Sequence, residues 1–302
     1  MISTQRTSEK FNMAEKITKI PIPVANITKD SHGHFYTNFR PAEKGSRLIL
    51  DRGPRTLKWL TERVISNAIN AVAITNFDDW NYEFWTSDEQ LKNLPKGWKY
   101  YQDSRLTVVA PPIDVSPAYF FKSQEVWTQQ GHILIPGGER GVNFPSHLTL
   151  DATLDLVDKD SHLRKVADHL NSIYGLKESI KGRENRFDSY EFNAQADERG
   201  NNLTIQQAKR DGKPLEASSD NHHYSQIGKS NIVIKTNFLN FESGGELVKS
   251  INRAIQQYQF VAHMEYSPRI LSLEHLAKNV MYNNVLKKLN PSRVDPDFAK
   301  PK

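Results

Sequence analysis

The chain has 302 residues, of which 37% are hydrophobic and 25% charged, so its composition is that of a globular protein and excludes a disordered or collagen-like chain. Lys and Arg together exceed Asp and Glu by five, a weak excess that does not predict a nucleic-acid partner. The chain contains no cysteine, which excludes disulfides, thiolate metal sites and a cysteine nucleophile.

The N-terminal sequence lacks the apolar core of a signal peptide, and no stretch approaches 18 consecutive apolar residues. We therefore expect no membrane partner. We expect a protein that is cytoplasmic or is exported without a classical signal peptide. Residues 1–18 are predicted to form a polar N-terminal arm, residues 19–290 a single domain, and residues 291–302 a polar C-terminal tail.

The first half of the chain alternates between strand and helix patterns. Its predicted elements, in order, are an edge strand at 19–27, a helix at 56–70, a strand at 71–75, an aromatic-rich segment at 78–101 that packs over the core, a strand at 106–110, a helix at 116–129 and a strand at 132–135.

The second half continues this alternation around a polar stretch of weak periodicity. Its predicted elements are a helix at 158–174, a long excursion or mobile flap at 181–221, strands at 231–235 and 258–262, and a closing helix at 271–289. Strands separated by helices predict an α/β fold, a flavodoxin-like three-layer α/β/α sandwich with a mainly parallel central sheet. In such a sheet, ligands bind beyond the carboxyl ends of the strands.

Two motifs follow predicted strands and carry side chains or backbone suited to catalysis. Pro136-Gly137-Gly138 can bring backbone N–H groups close to a developing oxyanion. His263 and Glu265 can act as a general base and the carboxylate that orients it. Each motif is a weak signal of catalysis by itself. Pro-Gly-Gly after a strand is usually an ordinary turn, and a His close to a Glu is usually an exposed surface pair.

The order of these motifs resembles that of the class I glutamine amidotransferase superfamily, particularly its γ-glutamyl hydrolase-like branch (peptidase C26). Four segments carry the resemblance: VVAPP at 108–112, GHILIPGG at 131–138, SDNHHYSQI at 219–227 and FVAHME at 260–265. The resemblance implies an oxyanion loop at Gly137 and Gly138, a catalytic pair at His263 and Glu265, and substrate contacts from His222 and His223.

The chain departs from the family at the nucleophile. The family places a cysteine at a strand-to-helix elbow, and the matching position holds Lys177, with Ser179 in place of a glycine. A lysine amine is mostly protonated near neutral pH and forms a stable amide, so conventional amidotransferase activity is not expected. Losing a triad nucleophile removes about 10⁶-fold of rate. Ser172 or Ser179 could substitute only if the elbow were moved.

We therefore expect a pseudoenzyme that binds a small γ-glutamyl or amino-acid-derived ligand, or a protein partner, in the ancestral cleft. One alternative is an active hydrolase or transferase that uses Ser179 or a metal-activated water with His263 and Glu265. Another is a basic interaction protein without an active cleft. No cofactor is assigned. No metal site is assigned either, because the adjacent His222 and His223 are not expected to face one ion.

Overall fold

A computed structural model describes residues 26–33, 56–77, 80–112, 115–220 and 226–266. The predicted N-terminal arm, the closing helix at 271–289 and the C-terminal tail lie outside these residues. Within the described part of the chain, no helix combines the length and the apolar character needed to cross a lipid bilayer.

The described residues contain the following strands: β1 (Asn26–Gly33), β2 (Ala71–Asn76), β3 (Lys99–Gln102), β4 (Leu106–Ala110), β5 (Ala118–Thr128), β6 (Gly131–Gly138), β7 (Val166–Ala167), β8 (Ser189–Asn193), β9 (Leu215–Ser218), β10 (Asn231–Lys235) and β11 (Phe260–His263). Their α-helices are α1 (Leu57–Ser66), α2 (Asn81–Trp85), α3 (Asp88–Lys92), α4 (Leu150–Val157), α5 (Glu198–Asp211) and α6 (Gly244–Gln256).

The strands form one mixed sheet in the order β11-β10-β1-β2-β5-β6-β7-β8-β9, with β4 paired to β5 and β3 paired to β4. Neighbours are parallel at β1–β2 and β2–β5, and again in the C-terminal part at β7–β8 and β8–β9. The remaining pairs are antiparallel, so β4, β6 and β10 run against the other strands. The strand β9 also lies beside β1 and β10, which shows that the sheet curls.

Helices cover both faces of this sheet, so the predicted α/β sandwich is confirmed. On one face, α1 packs Leu57, Leu60 and Val64 against alternate residues of β2 and β5. On the other face, α6 packs Leu247 and Ile251 against β4, β5 and β10. Burial of both faces explains why the central strands read as apolar runs rather than as alternating patterns.

The helix predicted at 116–129 is wrong, because this segment is the central strand β5. Every residue of β5 except Trp127 is buried, so neither face shows the alternation typical of a half-exposed strand. The polar run from Lys122 to Glu125 resembles the solvated face of a helix. In the structure these four polar side chains are buried instead.

The helix predicted at 158–174 is also wrong. The helix in this region is α4, which Thr149 caps by accepting a hydrogen bond from the Ala152 N–H. The apolar residues Val166 and Leu170 are buried as predicted, but they lie in the short strand β7 and the turn after it. His169 has a φ of +24°, which interrupts any helix here.

The segment 181–221 was predicted to be a polar excursion or flap, and within its described residues it instead contains β8, α5 and β9. Asp197 caps α5, and Gly212 ends it in the left-handed conformation at a φ of 62°. The buried face of α5 consists of small and polar residues, including Thr204 and Ala208, so an apolar stripe is not visible. The helix α6 was not predicted from the sequence.

Candidate metal centre

The predicted pair at His263 and Glu265 forms, but on an exposed edge of the sheet. His263 ends β11, and its Nε2 lies 3.5 Å from Glu265 Oε2, with the side chains 58% and 47% exposed. Lys229 donates to Glu265 at 2.6 Å, and this hydrogen bond holds the pKa of Glu265 below its ordinary value. Solvent therefore surrounds the pair, and its carboxylate is shared with a lysine.

The predicted oxyanion glycines lie elsewhere. Gly137 and Gly138 belong to β6, and β5, β2, β1 and β10 separate β6 from β11 in the sheet order. Gly137 and Gly138 end β6. Because β6 is antiparallel to β5 and β7, these glycines point toward the amino ends of β5 and β7 and away from their carboxyl ends. Gly137 has a packing role, since a Cβ there would lie 2.5 Å from the carbonyl oxygen of His162. The glycines and the His263–Glu265 pair therefore lie on different strands, with four strands between them in the sheet order.

The other predicted site residues lie outside the strands of the sheet or outside the described residues. Lys177 and Ser179 lie in a short 3-10 turn, Lys177–Ile180, and not at a strand-to-helix elbow. Lys177 is exposed, and the carbonyl of Ser179 accepts a hydrogen bond from Arg183. His222 and His223 lie outside the described residues.

The structure instead brings together Glu125, His132, Asp168 and His169, which we call the carboxylate–imidazole cluster. One potential ligand atom from each residue lies within 4.8 Å of the others. All four residues are buried, and their side chains are between 0% and 10% exposed. Two imidazoles and two carboxylates are the donor set of a divalent transition metal such as zinc.

Strand direction explains why these residues meet. Glu125 lies near the carboxyl end of β5, and Asp168 and His169 directly follow the carboxyl end of β7. His132 lies at the start of β6, which is antiparallel to both strands and therefore begins at the same edge. The cluster thus occupies the carboxyl edge of the sheet, where α/β proteins bind ligands.

Glu125 is the centre of the cluster. Its Oε1 contacts Nδ1 of His132 and lies 3.4 Å from Nε2 of His169. The same His169 nitrogen lies 3.2 Å from Asp168 Oδ2. The His132 Nε2 atom is buried and makes no hydrogen bond to the described residues. The nitrogen of His132 that faces the rest of the cluster is therefore Nδ1.

His169 is oriented by its surroundings. Ser172 Oγ lies 2.9 Å from His169 Nδ1, and the His169 backbone N–H donates to Glu191 at 2.9 Å. Burial by itself lowers the pKa of His169. The hydrogen bond and charge of Glu125, with the charges of Glu191 and Asp220, outweigh burial and raise the pKa above its ordinary value.

Further polar groups continue the cluster across β8 and the end of β9. Asn193 donates to Glu191 at 3.2 Å and to Asp220 at 3.0 Å. Ser218 donates to the other oxygen of Glu191. Glu191 and Asp220 are both buried, so the carboxyl ends of four strands contribute charged side chains to one region.

The cluster was not predicted from the sequence because three of its four residues lie in segments whose pattern predicts a helix. A signal was present, however. Asp168-His169 follows the apolar pair Val166-Ala167, and Ser219-Asp220 follows β9 in the same way. Short runs that end in a carboxylate or imidazole are typical of strand ends at a binding edge.

Comparisons with known proteins support the fold. The structure is similar to that of PsfC from Pseudomonas syringae PB-5123, with a TM-score of 0.54 and 13% sequence identity over 85% of this chain and 100% of that chain. At this identity the likeness shows the fold alone. No protein-family model matches the chain, and no curated protein matches it. The fold and the cluster define an α/β protein with a candidate metal centre.

Proposed function

We propose that the chain is a metal-dependent hydrolase whose ion is held by the carboxylate–imidazole cluster. The observation that carries the proposal is the convergence of four buried ligand atoms within 4.8 Å. Structural zinc sites commonly use cysteine, whereas His and carboxylate ligands predominate in catalytic sites. The donor set therefore favours a catalytic ion over a structural one.

The cluster offers one more ligand than a catalytic site requires. Catalytic zinc uses three protein ligands and leaves a position for water. Zinc held at this position would supply a water with a pKa lowered to about 7, and hence a nucleophile near neutral pH. A carboxylate of the cluster that does not bind the ion can accept the proton of the water. Glu125, which contacts both imidazoles, is the expected ligand, and Asp168 is the expected acceptor.

A serine hydrolase is a second candidate, favoured by one specific contact. Ser172 Oγ lies 2.9 Å from His169 Nδ1, while His169 Nε2 faces Glu125 and Asp168. This order of hydroxyl, imidazole and carboxylate matches a nucleophilic triad. We favour the metal, because a triad uses one carboxylate and does not explain the second imidazole at His132.

The amidotransferase-like pseudoenzyme remains a prediction from motifs. It is supported by the order of four short segments and by the missing cysteine. The geometry favours it less, because β5, β2, β1 and β10 separate its glycines from His263. Its test is a thermal shift: stabilisation by a γ-glutamyl dipeptide that requires His263 would support it over the metal centre.

Metal content and hydrolysis together test the proposed function. Full-length chain, stripped with a chelator and reloaded with Zn²⁺ or Mn²⁺, is assayed on p-nitrophenyl acetate, p-nitrophenyl phosphate and bis(p-nitrophenyl) phosphate. We expect tight metal binding and metal-dependent turnover of at least one ester. Glu125→Gln should lose metal, whereas Asp168→Asn should retain metal and lose turnover. Full activity after chelation, or turnover that needs only Ser172, would contradict the proposal.

A further inference from the structure

Aromatic rings surround His132 at the carboxyl edge of the sheet. Tyr174 stacks on the imidazole with ring centroids 5.6 Å apart and an interplanar angle of 9°. Trp127 meets the same imidazole edge to face at 5.1 Å, and Phe77 does so at 5.6 Å. His147 in turn lies 5.7 Å from Trp127. These rings form a collar on one side of the carboxylate–imidazole cluster.

Tyr174 and His147 are the exposed members of this collar, and of these two Tyr174 is the one that stacks on His132. One face of the Tyr174 ring stacks on His132, yet the residue is 52% exposed. The exposed surface of the ring is therefore its opposite face and its edges. Its neighbour Ile173 is 76% exposed. An open aromatic face directly above a ligand of a metal centre is suited to stacking with another planar ring.

The backbone holds Tyr174 in this position. The His132 N–H donates to the Tyr174 carbonyl at 3.0 Å. A Cβ on Gly131 would lie 2.8 Å from the carbonyl carbon of Gly175, and a Cβ on Gly175 would lie 2.3 Å from the carbonyl oxygen of His169. Both glycines are therefore needed for the Tyr174 turn to approach β6 and the cluster so closely.

We propose that the outer face of Tyr174 is a stacking platform for a planar aromatic or heteroaromatic ring of the substrate. This inference rests on the proposed function and names its substrate class. Because stacked rings lie about 3.5–4 Å apart, the substrate ring is separated from His132 by the thickness of Tyr174. The bond to be cleaved must therefore be joined to the ring by a short flexible spacer that passes the edge of Tyr174.

Hydroxamates test this proposal because they bind metal ions directly and can be made with or without a ring. The probes are benzohydroxamate, phenylacetohydroxamate and 3-phenylpropanohydroxamate, each paired with an alkyl hydroxamate of matched chain length. Affinity is measured by calorimetry on the zinc-loaded chain. The variants are Tyr174→Ala and Tyr174→Phe, with Ile173→Ala as the exposed control next to it. Bound zinc is quantified for each protein.

We expect a phenyl probe with a spacer to bind about tenfold more tightly than its alkyl partner. Tyr174→Ala should lose this advantage at unchanged zinc content, whereas Tyr174→Phe and Ile173→Ala should keep it. Equal affinity of ring and alkyl probes, an advantage that survives Tyr174→Ala, or zinc loss in Tyr174→Ala would each overturn the proposal. A wild-type chain that binds no zinc would instead overturn the proposed function on which it rests.

Discussion

Two regions of the molecule place histidine next to carboxylate, and they differ in almost every other respect. His263 and Glu265 lie two residues apart on an edge strand, exposed and shared with Lys229. The carboxylate–imidazole cluster draws its four residues from β5, β6 and the turn after β7, and it is buried. The same side chains therefore form an exposed ion pair in one region and a candidate metal centre in the other.

The difference lies in convergence and burial, and not in residue type. An exposed ion pair stabilises a protein by only about 0–1 kcal/mol, because solvent screens its charges. In the cluster, low exposure strengthens the electrostatic interactions between the carboxylates and the imidazoles. Proximity in sequence identified the first pair, whereas only the fold could identify the second.

Glu125→Gln should have the largest effect. It removes the carboxylate that contacts both imidazoles while keeping the shape of the side chain. Because removal of a group that merely orients a ligand costs 10–100-fold in metal affinity, loss of this ligand should cost more than about 1,000-fold. Competition with a fluorescent chelator measures the affinity, and Glu265→Gln is the matched control. Equal loss in both variants would remove the distinction between the regions.

Arg164→Ala tests whether metal binding depends on the carboxylate–imidazole cluster itself or on any buried charged pair. Arg164 is fully buried, and its NH1 lies 2.6 Å from Glu216 Oε1. Breaking such a pair should lower the free energy of unfolding by about 3–5 kcal/mol, measured by urea denaturation. The protein that remains folded should bind metal with unchanged stoichiometry. Metal loss at unchanged stability would mean that Arg164 belongs to the candidate centre.

Ser172→Ala should have an intermediate effect. Loss of the hydroxyl beside His169 Nδ1 should weaken metal affinity about 10–100-fold, and Ser172→Thr should restore most of it. Ser179→Ala is the control, because Ser179 lies nearby in the 3-10 turn Lys177–Ile180. It should change neither metal affinity nor turnover. If Ser172→Ala abolished turnover at full metal occupancy, Ser172 would be the nucleophile and the second candidate function would be correct.

Glu265→Gln should have the smallest effect on stability, below about 0.5 kcal/mol at neutral pH. Lys229 lowers the pKa of Glu265, so the stabilisation is present above the ordinary carboxyl value and is lost as pH falls through the lowered pKa. The difference between variant and wild type should therefore vanish in acid. Urea denaturation at neutral and acidic pH checks this, and a difference that grows on acidification would contradict it.

The fold class and several strands could be predicted from the sequence because they depend on local apolar runs. Residues 71–75, 106–110 and 231–235 were correctly predicted as strands. The predictions were wrong where a strand buried on both faces carries polar residues, as β5 does, and where the buried face of a helix is polar, as in α5. Hydrophobic periodicity carries no information in either case.

The candidate site was less predictable than the fold. Glu125 and His169 are 44 residues apart in the chain, and their contact depends on the parallel alignment of β5 and β7 through the antiparallel β6. Once β5 and β7 had been taken for helices, this edge could not be assembled. The His263–Glu265 pair could be predicted because its two residues are only two positions apart in the sequence.

Anomalous diffraction at the zinc absorption edge, from crystals of the full-length chain grown with Zn²⁺, tests the central claim most directly. We predict an anomalous peak about 2.0–2.2 Å from nitrogens of His132 and His169 and from a carboxylate oxygen of Glu125. A peak between His263 and Glu265, with none at the carboxylate–imidazole cluster, would contradict the account.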